Sequence, residues 1–147
     1  MEEVRKRAPK MRINVLDPSM SKADLDQVAQ AVPACSATYV AAFASVAAYR
    51  GNVALAGEFA GFVNGLTAGA APVALIALGN PYLIRSFDTV KAYATTYSTT
   101  TTSETAAAKA MFGEIAITGH LPITIPGIAK YGDGIQLPAL HTAQKGL

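Results

Sequence analysis

The chain has 147 residues, of which 51% are hydrophobic and 15% are charged, and its formal net charge is +2. This length fits one domain that buries roughly two thirds of the surface its unfolded chain would expose, and the composition is not that of a disordered tail. The small net charge gives no reason to expect a nucleic acid as partner, and no DNA or RNA motif is present.

Cys35 is the only cysteine, which excludes an intrachain disulfide and a multi-thiolate zinc site. No HExxH motif or carboxylate-rich loop accompanies it, so neither a metal nor another cofactor is expected. The N-terminal segment MEEVRKRAPK does not resemble a secretory signal, so the chain as written is expected in the cytoplasm. Phe59–Ile84 is uncharged, but its Asn, Gly and Pro residues favour buried elements of an α/β fold over a membrane span.

The N-terminal part of the chain predicts two helices separated by a short strand. Glu2–Ala8 indicates the end of a helix that the following proline stops, and Arg12–Leu16 predicts the strand. The second helix begins at Ser21, which caps it with Asp24 at the reciprocal position.

The middle of the chain continues the alternation of strands and helices. Thr38–Ser45 predicts a strand, and apolar residues at helical spacing predict a helix over Val53–Leu66. Pro72–Leu78 is the most apolar strand, and the sequence Gly-Asn-Pro after it is typical of a turn.

The next elements complete the predicted sheet. Tyr82–Phe87 indicates a short helical turn, and Ala92–Ser98 predicts a fourth strand. The helix Glu104–Phe112 is expected to end at Gly113, because glycine readily takes the left-handed conformation that closes a helix. Alternating strands and helices predict an α/β fold, a three-layer α/β/α sandwich with a mostly parallel sheet.

The C-terminal segment GHLPITIPG has an alternating pattern. Three apolar residues alternate with two prolines and a threonine, so an extended segment here has an apolar face and lies at a sheet edge or on the domain surface. Pro138–Leu147 has no periodicity and predicts a flexible tail.

Several spaced blocks resemble one known family. They are RAPKMRINVLDPS, YVAAFASVAAYRGNVAL, VALIALGNPYLIRSF, TTYSTTTTSETAAAKAMFGE and GHLPITIPG. Together they are similar to the C-terminal α/β domain of glycoside hydrolase family 3, in the branch close to bacterial β-N-acetylhexosaminidases. The resemblance covers most of the chain and implies a domain over residues 1–137. It also implies that the catalytic aspartate lies in a separate barrel, which needs on the order of 250 residues and does not fit in this chain.

The candidate binding site lies beyond the C-terminal ends of the strands, where open parallel sheets bind ligands. An arginine, an amide, a hydroxyl and two phenols fall in these loops and suit the hydroxyls of a sugar. The expected substrate-binding residues are Tyr49, Arg50, Asn80, Tyr97 and Ser98. In the alternative interpretation, Arg50 and Asn80 only satisfy loop carbonyls and helix ends.

No catalytic residue is assigned from the sequence. A retaining glycosidase needs two carboxylates about 5 Å apart, and none of the ten acidic residues stands in a motif for such a pair. His120 is interpreted as making a structural hydrogen bond. The serine-containing segments lack the GxSxG motif of α/β-hydrolases.

Three functions are compatible with these observations. The leading one is a stand-alone or truncated C-terminal domain, accessory to glycoside hydrolysis and carbohydrate binding and inactive by itself. The alternatives are a small esterase-like hydrolase that uses Ser45, Ser98 or His120, and a non-catalytic sugar-binding module. The expected partners are a carbohydrate or a glycoside hydrolase barrel, without nucleic acid or membrane. A homo-oligomer, most simply a two-fold dimer, is expected to cover an open sheet edge or apolar face.

Overall fold

The computed structural model describes residues 1–44 and 55–140, and it divides the chain into two compact units. The sheet unit is Arg12–Thr99, and the terminal unit combines Met1–Met11 with Thr100–Leu147. The described elements, in chain order, are α1 (Glu2–Arg7), α2 (Lys22–Ala29), a 3-10 helix (Val32–Ala34), β1 (Thr38–Ala44), α3 (Phe59–Thr67), β2 (Val73–Gly79), a second 3-10 helix (Pro81–Ser86), β3 (Ala92–Thr95) and α4 (Thr101–Met111).

The three described strands form a parallel sheet in the order β1-β2-β3. The register pairs Thr38 with Val73 at one end of β1 and Ala44 with Gly79 at the other. In chain order α3 lies between β1 and β2, and the second 3-10 helix lies between β2 and β3. Parallel strands need such crossover connections rather than tight hairpins. The predicted α/β class with a parallel sheet is therefore confirmed, whereas the three-layer sandwich stays a prediction.

The core of the sheet unit lies on one face of the sheet. Side chains alternate between the faces of a strand, so Leu75 and Ala77 of β2 point to the same side, and both are fully buried. Residues from β1, α3, the second 3-10 helix and the position directly after it pack with them. These are Ala42, Val63, Leu83 and Phe87.

Helix α2 begins as the sequence predicts. The side-chain oxygen of Ser21 accepts a hydrogen bond from the amide of Asp24, and the Asp24 carboxylate accepts one from the Ser21 amide. This reciprocal pair satisfies backbone donors that the first helical turn leaves unpaired. Leu25 is the buried residue that anchors the helix.

The terminal unit contains α1, α4 and the C-terminal segment. Gly113 follows α4 with a φ of 70°, which confirms the predicted glycine end. The segment 121–126 keeps the predicted alternation, since Ile125 is 2% exposed and its neighbours Thr124 and Pro126 face solvent. It forms an isolated bridge between Ile125 and Ala129 rather than a regular strand, because each proline removes a backbone donor that a ladder would use.

Two predicted strands differ from the structure. Arg12–Leu16 is not a strand, since no neighbouring strand among the described residues pairs with it and Val15 is 68% exposed. The predicted strand Ala92–Ser98 ends at Thr95, because Tyr97 takes a φ of 57° that an extended strand cannot contain. Helix α3 starts at Phe59, and the predicted start at Val53 lies outside the described residues.

A search of the described ranges for membrane-spanning helices finds none with the length and apolar character needed to cross a bilayer.

Candidate functional site

The candidate site lies at the C-terminal edge of the sheet unit, where the ends of all three strands meet. Gly79 is the last residue of β2 and has a φ of 112°. A Cβ atom added there would lie 2.4 Å from the carbonyl oxygen of Ala44 and 3.2 Å from the Cγ2 atom of Thr99. The end of β1 and the chain after β3 therefore approach the β2 turn so closely that glycine is required.

Asn80 caps the 3-10 helix that follows β2. Its side-chain oxygen accepts a hydrogen bond of 3.0 Å from the amide of Tyr82, and Pro81 occupies the first helical position, where no backbone donor is needed. Asn80 is only 3% exposed. Its side-chain oxygen thus holds the turn, which is the structural role that the alternative interpretation gives it.

Tyr97 is the exposed aromatic residue of this edge. Its backbone is in the left-handed region, and its side chain remains 41% exposed. The Thr96 hydroxyl donates a 2.8 Å hydrogen bond to the carbonyl of Ser98, which spans Tyr97 and supports the turn. A bulky residue in this conformation costs about 1–3 kcal/mol, and such strain is concentrated at functional sites. Partial burial raises the pKa of the Tyr97 phenol.

Tyr93 supports the edge from within β3. Its hydroxyl donates a 2.8 Å hydrogen bond to the carbonyl of Pro81, which joins β3 to the turn after β2. Burial is the main reason that the pKa of this phenol rises to about 12. Because its hydroxyl proton is used inside the fold, Tyr93 fixes the position of the Asn80 turn and does not face a ligand.

Three of the five predicted binding residues are described, and the parallel sheet brings them to one edge. Asn80 follows β2, and Tyr97 and Ser98 follow β3, the neighbouring strand. Tyr49 and Arg50 lie outside the described residues. Of the three, Tyr97 presents the most side-chain surface to solvent.

His120 belongs to the terminal unit and is exposed. Its Nδ1 atom lies 2.9 Å from the carbonyl oxygen of Gly132, so Nδ1–H donates the structural hydrogen bond that the sequence interpretation expects. The amide of Leu121 donates to the carbonyl of Asp133 at 2.7 Å, which closes the same loop. These bonds assign His120 to the folding of the C-terminal segment.

A cluster of charges around Arg7 in the terminal unit was missed by the sequence analysis. The guanidinium contacts the Glu3 carboxylate at 2.7 Å and the Glu114 carboxylate at 2.9 Å. These hydrogen bonds hold the pKa of both carboxyls below the ordinary range, that of Glu3 at about 2. A general acid needs a raised pKa, so the two glutamates are partners of Arg7 rather than a catalytic pair. The spacing of Glu3 and Arg7 on one helix is a detectable signal, but nothing local marks the contact to Glu114.

No family model, no curated protein and no solved structure matches this chain. Across residues 1–44 and 55–140, no group of three or more His, Cys, Asp or Glu side chains is arranged to hold a metal ion. The predicted binding residues described at the edge, Asn80, Tyr97 and Ser98, carry an amide, a phenol and a hydroxyl.

Proposed function

We propose that this chain is an accessory, carbohydrate-binding domain of the kind found at the C-terminus of family 3 glycoside hydrolases, without hydrolase activity of its own. The C-terminal edge of its parallel sheet binds a sugar, and a barrel domain of the same family is the expected catalytic partner. This proposal rests on the resemblance of the sequence blocks together with the geometry of that edge.

The main support for the proposal is the backbone conformation and the exposure of Tyr97. A strained backbone displays a partly exposed phenol beside the ends of parallel strands, which is where open α/β sheets bind ligands. A phenol suits a sugar because its ring packs on the apolar C–H face and its hydroxyl bonds to the sugar hydroxyls.

The family-like block GNPY follows β2 at the same edge of the sheet as Tyr97 and supports the same site. It contains the asparagine cap and the proline that together fix the turn after β2. Gly79, just before it, allows the close approach of the neighbouring strand ends. The block therefore shapes the edge, and Tyr97 supplies contact surface for the ligand.

Three carboxylates of the sheet unit are engaged in structural contacts. In the sheet unit, Asp17 accepts hydrogen bonds from Ser19, Asp24 belongs to the cap of α2, and Asp26 pairs with Lys22 at 2.7 Å. The pKa values of Asp17 and Asp24 are lowered by these serine hydrogen bonds, opposite to what a general acid requires.

Titration calorimetry with an N-acetylglucosamine oligosaccharide tests the proposal. We expect binding in the micromolar to millimolar range, weakened about fivefold by Tyr97→Ala because a ring contact of about 1 kcal/mol is lost. Tyr97→Phe should keep most of the affinity. Tyr131→Ala is the matched control, since Tyr131 is 74% exposed and lies in the terminal unit. Equal affinities for wild type and Tyr97→Ala would overturn the site.

Turnover assays separate the proposal from its alternatives. The purified chain should not hydrolyse a chromogenic N-acetylglucosaminide faster than a variant with Arg50 and Asn80 replaced by alanine. A screen of short acyl esters should also show no turnover. Ester hydrolysis abolished by Ser45→Ala or Ser98→Ala would instead establish the esterase-like alternative.

A further inference from the structure

The edge of β1 that faces away from β2 carries backbone groups that a second copy of β1 could pair with. The Thr38 amide donates to the carbonyl of Pro72, which directs the polar backbone groups of Thr38 toward β2. Backbone direction alternates along a strand, so the amides and carbonyls of Tyr39, Ala41 and Phe43 point away from β2. Outside the ladder with β2, no backbone hydrogen bond among the described residues involves these three.

This edge lacks the features that usually prevent strand pairing. β1 is seven residues long and contains no charge and no proline. The opposite edge strand, β3, has four residues and is preceded by the charged Lys91. Short or charged edges are the usual protection against association, so β1 is the unprotected edge of the described sheet.

The side chains on this edge strand are exposed and apolar. Tyr39 is 48% exposed and Phe43 is 57% exposed, and Ala41 between them also faces solvent. The three share one face of the strand because they are two residues apart. An aromatic residue therefore stands on each side of a small one.

We infer that two copies of this chain associate by antiparallel pairing of β1 with β1 about a two-fold axis through Ala41. In this register Ala41 faces its own copy, and Tyr39 faces Phe43 of the other copy on both sides of the axis. The three residues whose backbone groups point outward then form the hydrogen-bonded pairs, giving about six new hydrogen bonds. Two cross-strand aromatic pairs flank the axis. The outward backbone groups of Tyr39, Ala41 and Phe43 and the placement of alanine between two aromatic residues therefore favour the same register.

A second copy of the chain is favoured over other partners because β1 is complementary to another β1 strand. Interfaces about a two-fold axis use the same patch on both subunits, so a self-complementary strand fits this symmetry. An uncharged edge offers no charge pattern that would select a different partner. The segment Arg12–Leu16 is the competing occupant within the chain, and it makes no backbone hydrogen bond to β1 in the described structure.

Disulfide trapping tests the register, with Cys35→Ala as the background because Cys35 is the only native cysteine. Ala41→Cys should cross-link with itself under mild oxidation, since hydrogen-bonded antiparallel pairs have Cα atoms about 5.5 Å apart. Tyr39→Cys alone should not, because the two copies of residue 39 are about 13 Å apart along the strand. Mixing Tyr39→Cys with Phe43→Cys should restore the cross-link. Cross-linking of Tyr39→Cys as efficient as that of Ala41→Cys would overturn the register.

Sedimentation velocity of the unmodified chain tests the association itself. We expect a species of twice the 15.2 kDa chain mass in the micromolar range, and a dissociation constant raised tenfold or more by Phe43→Lys. Tyr131→Lys is the matched control and should leave the dimer unchanged, since it places the same charge at another exposed aromatic residue. A wild-type monomer at all concentrations would overturn the inference and indicate that the edge is covered within the chain.

Discussion

Replacement of Gly79 by alanine tests whether the strand ends converge at the candidate site as described. An alanine at a φ of 112° costs about 1–3 kcal/mol in backbone strain. Its Cβ atom would also lie 2.4 Å from the Ala44 carbonyl oxygen, so the ends of β1 and β2 must separate. We therefore expect Gly79→Ala to lower the free energy of unfolding by about 3 kcal/mol or more, a large part of a typical 5–15 kcal/mol.

The same substitution at Gly65 is the matched control and should have the opposite sign. Gly65 lies in α3, and an added Cβ atom would meet no atom within 4 Å apart from its sequence neighbours and the backbone of its own helix. Alanine is favoured over glycine in a helix by about 0.5–1 kcal/mol, so Gly65→Ala should stabilise the protein. Urea unfolding followed by circular dichroism should place the Gly79→Ala midpoint about 1 M or more below wild type. Equal midpoints for Gly79→Ala and wild type would refute the described convergence.

Two further predictions concern single interactions. Arg7→Gln should raise the pKa of the Glu3 carboxyl from about 2 toward 4.5, as an NMR titration can measure, whereas Arg5→Gln removes the same charge from the same helix and should leave it low. Because the pKa of Glu3 is lowered in the folded state, its contribution to the free energy of unfolding is present above about pH 4.5 and is lost as the pH falls toward 2. An unchanged pKa of Glu3 in Arg7→Gln would exclude the ion pair. Thr38→Val should raise the free energy of unfolding by about 1 kcal/mol, because the buried Thr38 hydroxyl has no hydrogen-bond partner among the described residues. Thr96→Val should lower the free energy of unfolding by about 1 kcal/mol, since the hydrogen bond to the carbonyl of Ser98 is lost. A lower urea midpoint for Thr38→Val or a higher one for Thr96→Val would contradict the corresponding prediction.

Local patterns in the sequence were sufficient for much of the fold. The continuous apolar run before the Gly-Asn-Pro turn located β2, and the Ser21–Asp24 pair located the start of α2. The glycine at position 113 marked the end of α4 within one residue of the structure. These signals succeed because apolar runs, capping and glycine conformation each depend on a few neighbouring residues.

Features that depend on distant residues were not predictable in the same way. Arg12–Leu16 has a strand-like composition, but a strand forms only where a partner offers hydrogen bonds, and none among the described residues does. Glu114 pairs with Arg7 across 107 positions of sequence. The left-handed backbone of Tyr97 is unusual for any residue other than glycine or asparagine, so residue preference predicted the opposite. Topology predicted that Asn80 and Tyr97 lie at one edge of the sheet, but the capping bond of Asn80 and the exposure of Tyr97 could be seen only in the structure.

An NMR titration with an N-acetylglucosamine disaccharide tests the central claim most directly. The account predicts saturable shifts of the backbone amides of Asn80, Tyr97 and Ser98, an unchanged spectrum around Tyr131, and no release of monosaccharide during the experiment. Absence of shifts at the C-terminal edge of the sheet, or hydrolysis of the disaccharide by the purified chain, would contradict it.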